Sequence, residues 1–230
     1  MDRRFQSTAL WTVAAMLAAG PGLTADGAAG PHRIDHVGVG MRDLDAATRL
    51  VAERTGVEPV FGGRHPHMGT QNALLSLGTD VYFEIIAPQP GADLGGWLAH
   101  DDPRPVLWAV ASDDPAATRA LLAEAGFATS DPSPGSRRTP DDRLLEWETF
   151  GVTDPPIPAA PFFIHWAEGT PHPSTTSPPG CTLASFDVSG PDLEAIRRLV
   201  AVLGLAVGTT DAEQPALHIT LSCPAGEVSW

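Results

Sequence analysis

Apolar residues alternate with small or polar ones from Arg33 to Met41, which predicts a strand. Val37, Val39 and Met41 fall on one face; His36, Gly38 and Gly40 fall on the other. The first face suits a core. The second suits a cavity wall, because glycine lets a ligand approach the backbone. Asp43 is placed to cap a helix that runs to about Thr55, with Leu44, Ala47 and Val51 as its buried stripe and Gly56 as its stop. Short strands follow over Val57–Phe61, Gln71–Leu77 and Val81–Ala87, with residues 62–70 predicted as a loop and Gly78-Thr79-Asp80 as a tight turn.

The same order recurs. Pro105–Ser112 reads as a strand, Asp113 or Asp114 with Pro115 starts a helix, and Leu144–Phe150 and Phe162–Ala167 are strands. The Pro-rich stretch 153–158 between them is predicted as a loop. A third copy begins at Cys181–Val188 and continues with a helix whose stripe is Leu193, Ile196, Leu199 and Leu203. Strands over Leu205–Thr209, Ala216–Ser222 and Glu227–Trp230 end it. One β-α-β-β-β unit is therefore used three times, over about residues 33–88, 104–167 and 180–230. The fold class is α+β, with curved sheets around a central cleft.

Composition narrows the function. With 43% hydrophobic residues, the 230-residue chain can bury a core. Its net charge of −14 argues against a nucleic-acid partner, which needs clustered Lys and Arg. Residues 1–30 stand apart from the domain that follows at 31–230: Arg3 and Arg4 precede an apolar run, Ala9–Ala19, and then small residues. This is the layout of a secretory signal peptide, too short for a membrane span, and it predicts a secreted or periplasmic protein. A disordered leader on a cytoplasmic protein is the other reading. Cys181 and Cys223 are the only cysteines; a disulfide and two buried thiols both fit them.

Glu84 lies inside the apolar run Val81–Ile86, where an unpaired acid is costly. On a curved sheet His36 and Glu84 suit either a shared divalent metal or a buried His–Glu hydrogen bond. No Gly-rich phosphate loop, nucleophile elbow or cysteine metal cluster is present.

The stretches Arg33-Ile-Asp-His-Val-Gly-Val, Gly62-Gly-Arg-His-Pro, Gly69-Thr-Gln-Asn-Ala-Leu-Leu, Tyr82-Phe-Glu-Ile-Ile-Ala-Pro, Phe162-Phe-Ile-His-Trp and Thr170-Pro-His-Pro resemble the glyoxalase-like domain proteins of the vicinal oxygen chelate superfamily. The resemblance implies a small-molecule substrate or ligand. It also implies a metal site shared between units, holding Fe, Mn, Zn or Ni, with His36 and Glu84 as ligands from the first unit. Glu84 would then serve as catalytic base as well. Matching Ala116-Ala-Thr-Arg to Ala46-Ala-Thr-Arg puts Val106 in the place of His36, so the second unit departs from the pattern, and His165 is the nearest replacement ligand. His65, Asn72, Trp108 and Trp166 are the expected substrate-binding residues, with Trp108 and Trp166 suiting the core equally well. His67 is expected on an exposed loop and His172 in a structural turn. Two functions stand: a metal-dependent lyase, isomerase or dioxygenase, and a metal-free small-molecule binding protein.

Overall fold

A computed structural model describes residues 32–94 and 96–230. The leader, and the signal peptide expected there, lie outside the described residues. In chain order the elements are β1 (His32–Gly40), α1 (Leu44–Thr55), β2 (Val60–His65), β3 (Thr70–Ser76), β4 (Tyr82–Pro88), β5 (Arg104–Ser112), α2 (Pro115–Glu124), β6 (Ala128–Thr129), β7 (Ser133–Arg138), β8 (Leu144–Asp154), β9 (Phe162–Trp166), β10 (Thr182–Gly190), α3 (Glu194–Leu203), β11 (Gly208–Asp211), β12 (Ala216–Cys223) and β13 (Gly226–Ser229).

Two of the helices start where the sequence says they should. The Asp43 side chain accepts from the Ala46 amide, and Asp114 from the Ala117 amide. Gly56 closes α1 at φ 73°, a conformation that glycine adopts without penalty. Three strand assignments differ from expectation, the shortest being β6, where no strand was expected. β2 runs on through Gly62–His65, so His65 stands on a strand and not in a loop. β7 was not anticipated at all: Ser-Pro-Gly-Ser-Arg-Arg carries no apolar alternation, and it is a strand because β8 pairs along its whole length.

The first two units form one sheet in the order β6-β8-β7-β2-β3-β4-β1-β5-β9, and β8 also pairs with β9. That second pairing closes strands β1–β5 and β7–β9 into a barrel. Each unit is built alike, with its first strand parallel to its last: β1 beside β4, β5 beside β9. The third unit keeps the β-α-β-β-β order but not the pairing. β10 is parallel to β11, its second strand, in a separate sheet of order β11-β10-β12-β13.

Side chains alternate across the barrel wall. Val37, Val39, Phe83, Ile85, Trp108, Val110 and Phe163 point outward. There they join Leu44, Ala47 and Val51 of α1 and Phe186, Val188, Ile196 and Ile219 of the third unit in one buried core. The third unit thus covers the outside of the barrel. A hydrogen bond from the Ala225 amide to the Thr55 carbonyl ties it on, and one from the Ser76 amide to the Pro178 carbonyl holds the connection leading into it. A Cys181–Cys223 disulfide staples β10 to β12 within it. Among the described residues, no helix is long and apolar enough to cross a membrane.

Candidate functional site

The inner face of the barrel is left with His36 of β1, His65 of β2, Asn72 of β3 and Tyr82 and Glu84 of β4. All five border a cavity of about 410 Å³. Gly38 and Gly40 share the inward face, but their lack of a side chain makes room for protein rather than ligand. A Cβ on Gly38 would lie 2.8 Å from the Leu107 side chain, and one on Gly40 would lie 2.5 Å from Leu98.

His36 is gripped from behind. Its Nδ1 is 2.7 Å from Asp35 Oδ1, while Asp35 Oδ2 accepts from the Trp166 indole at 3.0 Å and lies 3.2 Å from His172 Nε2. Simple alternation sends Asp35 to the outer face. A bulge turns it in: β5 pairs with Ile34 and His36 and skips Asp35. Burial pushes the Asp35 carboxyl up. The hydrogen bonds and charges of His172 and His36 outweigh this and hold it well below the ordinary carboxylate range. An ionised Asp35 fixes the proton of His36 on Nδ1 and turns Nε2 toward the cavity.

Nε2 faces Glu84 Oε2 at 3.8 Å, beyond hydrogen-bond distance. The other oxygen, Glu84 Oε1, accepts from the Asn72 amide at 2.7 Å. Asn72 Oδ1 is buried without a partner among the described residues. His65 Nδ1 is tied to Thr70 Oγ1 at 2.8 Å, and its Nε2 lies 3.4 Å from the Asn72 amide nitrogen. Burial pushes the His65 imidazole down; Arg137 and His36 add to this, and Glu84 opposes it. His65 is therefore a neutral group at neutral pH. Tyr82 stacks on His36 with ring centres 4.5 Å apart, and burial, with Asp35 and Glu84 nearby, raises its phenol well above the ordinary value.

The second unit supplies the opposite wall: Trp147, Phe162, Ile164, Trp166 and the buried Arg137. Of the expected site residues, His36, His65, Asn72, Glu84 and Trp166 are brought together. His165 and Trp108 are not. Phe162, Ile164 and Trp166 face inward, so His165 faces out, where its Nδ1 lies 2.9 Å from the Ser112 carbonyl oxygen. Trp108 is wholly buried in the outer core, with its indole donating to the Ala159 carbonyl. His67 lies on an exposed turn, as expected, and also borders the cavity. His172, expected as structural, holds Asp35. Among the described residues, no three of His, Cys, Asp and Glu stand close enough to share a metal ion.

A closed barrel of two β-α-β-β-β units around a polar-floored cleft defines a vicinal oxygen chelate fold. Residues 34–204 match the family model described as "Glyoxalase-like domain", and the chain belongs to that family. No curated protein matches the chain. Among solved structures, a hypothetical protein from Staphylococcus aureus aligns over 80% of this chain and 88% of its own, with TM-score 0.66 and 14% identity. A methylmalonyl-CoA epimerase from Mycobacterium tuberculosis aligns over 58% of this chain and 85% of its own, with TM-score 0.43 and 20% identity. A hypothetical protein from Bacillus halodurans aligns over 61% and 96%, with TM-score 0.44 and 12% identity.

Proposed function

We propose that the chain is a metal-independent enzyme that moves a proton on a small carbonyl compound, with Glu84 and His36 as its acid–base pair. The observation that carries this reading is the 3.8 Å gap between His36 Nε2 and Glu84 Oε2. Each group is oriented by a partner on its far side, Asp35 for His36 and Asn72 for Glu84. A substrate atom seated over the gap is within hydrogen-bond reach of both. Glu84 takes a proton from carbon beside a carbonyl and can pass it to the free lone pair of His36 Nε2, while the cavity-lining Tyr82 phenol, which burial keeps protonated, is the donor for the oxygen where negative charge develops.

A resident divalent ion fits this donor set poorly. Catalytic zinc and non-haem iron sites take three protein ligands, and among the described residues no three of His, Cys, Asp and Glu stand together. His165, expected to complete the set, faces the other way. The cavity wall opposite carries Ile164 and a guanidinium instead.

A second reading is a binding protein without turnover, favoured by the aromatic wall of Trp147, Phe162 and Trp166. Incubation with a series of small ketones and 2-oxo acids in heavy water separates the readings. Under the acid–base reading, proton NMR shows deuterium entering beside the carbonyl. That exchange survives chelator treatment and falls about 100-fold or more in Glu84→Gln. Ligand binding with no exchange leaves only the binding protein; exchange that chelators abolish and a divalent metal restores returns the metal-dependent enzyme. The Cys181–Cys223 disulfide supports export to an oxidising compartment. Terminal sequencing of the protein from its native host tests this, with a start between Ala25 and Pro31 expected.

A further inference from the structure

Arg137 is the one arginine, among the described residues, that is buried, at 3% exposure. It sits in a chain of net charge −14, yet no carboxylate among the described residues forms an ion pair with it. The arginine ion pairs among the described residues belong to Arg33, Arg42, Arg119, Arg138, Arg143 and Arg197. The single hydrogen bond of the Arg137 guanidinium there is to the Gly62 carbonyl oxygen. Burying an unpaired charge costs several kcal/mol in general, so a buried cation normally has a partner. The acid whose charge acts on Arg137 is already engaged: Glu84 gives one oxygen to Asn72 and turns the other toward His36. Burial works against the charge of Arg137, and Tyr82 and Glu84 support it from across the cavity. Arginine nonetheless remains protonated, with up to five N–H donors in a planar fork that matches a carboxylate.

We infer that Arg137 anchors the carboxylate of the substrate, so that the cavity takes small monocarboxylic acids. The inference rests on this cavity being the substrate site and not on proton transfer there. The acid's two oxygens meet the guanidinium fork, and its apolar body lies against Trp147, Phe162 and Trp166. A purely structural role is the competing account. One residue pair, Arg64 with Arg138, joins β2 to β7, and the Arg137–Gly62 bond could be there to reinforce that seam.

Equilibrium binding of matched probes decides between them, read by calorimetry. The probes are phenylacetate, phenylpyruvate and 2-oxohexanoate, each against its methyl ester. Wild type is expected to bind at least one acid about tenfold or more tighter than its ester, the worth of one charge-assisted hydrogen bond. Arg137→Met is expected to erase that preference and leave ester binding within about twofold, with Arg137→Lys in between. Should Arg137→Met not fold, Arg137→Lys carries the test, since it keeps the charge and loses the fork. The preference must also persist in Glu84→Gln. A wild type that binds an acid without exchanging protons sinks the acid–base reading and leaves this one standing. No acid preference in wild type, an undiminished preference in the variants, or a change in melting temperature alone overturns it.

Discussion

The two halves of the barrel have the same skeleton and opposite chemistry. The strand pairings place them in register: His36 stands beside Tyr82 as Ala109 stands beside Phe162, and Gly63 faces Asn72 as Gly135 faces Trp147. By that register His36 corresponds to Ala109, His65 to Arg137, Asn72 to Trp147, Tyr82 to Phe162 and Glu84 to Ile164. Every polar member of the first set except His65 has an apolar counterpart, and His65 has a cation. A doubled scaffold so divided makes one site instead of two. In the function we propose, the first half moves protons and the second binds the body and the charge of the ligand. A metal shared between halves needs a ligand from each, and the positions equivalent to His36 and Glu84 are alanine and isoleucine.

The largest effect is expected at Asp35, which ties the halves together through Trp166 and His172. Asp35→Ala leaves three donors without their acceptor, and a loss of up to about 5 kcal/mol is expected in urea unfolding at pH 7. The pH dependence has a definite sign. The carboxyl is lower in the folded protein than its ordinary 3.8. Its stabilisation is therefore complete above that value and is lost as pH falls below it. The gap between wild type and Asp35→Ala should shrink below about pH 4. A gap that stays constant down to pH 3 would mean Asp35 is not the charged tie between the halves.

Outside the comparison stands the third unit, whose pairing matches neither half. Its disulfide closes a 42-residue separation. A double Cys181→Ser, Cys223→Ser variant should lose about 4 kcal/mol, by the loop-entropy relation. It should bind cavity ligands as before, because the bond lies in the outer layer. Weakened ligand binding in the folded variant would show that this layer shapes the cavity.

The comparison also explains what the sequence could and could not disclose. β1, β4 and two of the capped helices were legible because their hydrophobic period survives without interruption. Glu84 was legible because an acid inside Val81–Ile86 has no packing reason to be there. Arg137 was not legible, because β7 has no apolar residue to mark it as a strand, and Asp35 was hidden by a bulge that reverses its face. Matching the units through their helices put Val106 opposite His36; the strand pairings put Ala109 there, three residues on. On a strand, an odd-numbered slip of this kind exchanges inside for outside.

The seam between halves gives a smaller effect. Leu107 of the second half fills the space that Gly38 of the first leaves open. Gly38→Ala should cost about 1–3 kcal/mol through overpacking. Leu107→Ala in the same chain should recover part of that loss, since the two side chains compete for one space. A double variant whose losses simply add would show that Gly38 is held for another reason, such as the Glu84 carbonyl oxygen, which would lie 3.3 Å from a Cβ at that position.

The smallest effect, and the sharpest on the division of labour, is expected at His165. One residue earlier on the same strand, Ile164 occupies the place equivalent to Glu84 and faces the cavity. His165 is half-buried on the far face, bonded to the Ser112 carbonyl oxygen. Removing that bond should cost about 1 kcal/mol of stability and nothing in ligand affinity or proton exchange. The reverse result, exchange lost in His165→Ala with the fold intact, would put a polar group of the second half in the site. It would break the asymmetry on which the metal-independent reading stands. Ile164→Glu is the complementary change. It places a carboxylate where the register says the second half has none, facing His36 and Glu84. Divalent metal should raise the melting temperature of that variant and leave wild type where it is, because only the variant has an acid from each half.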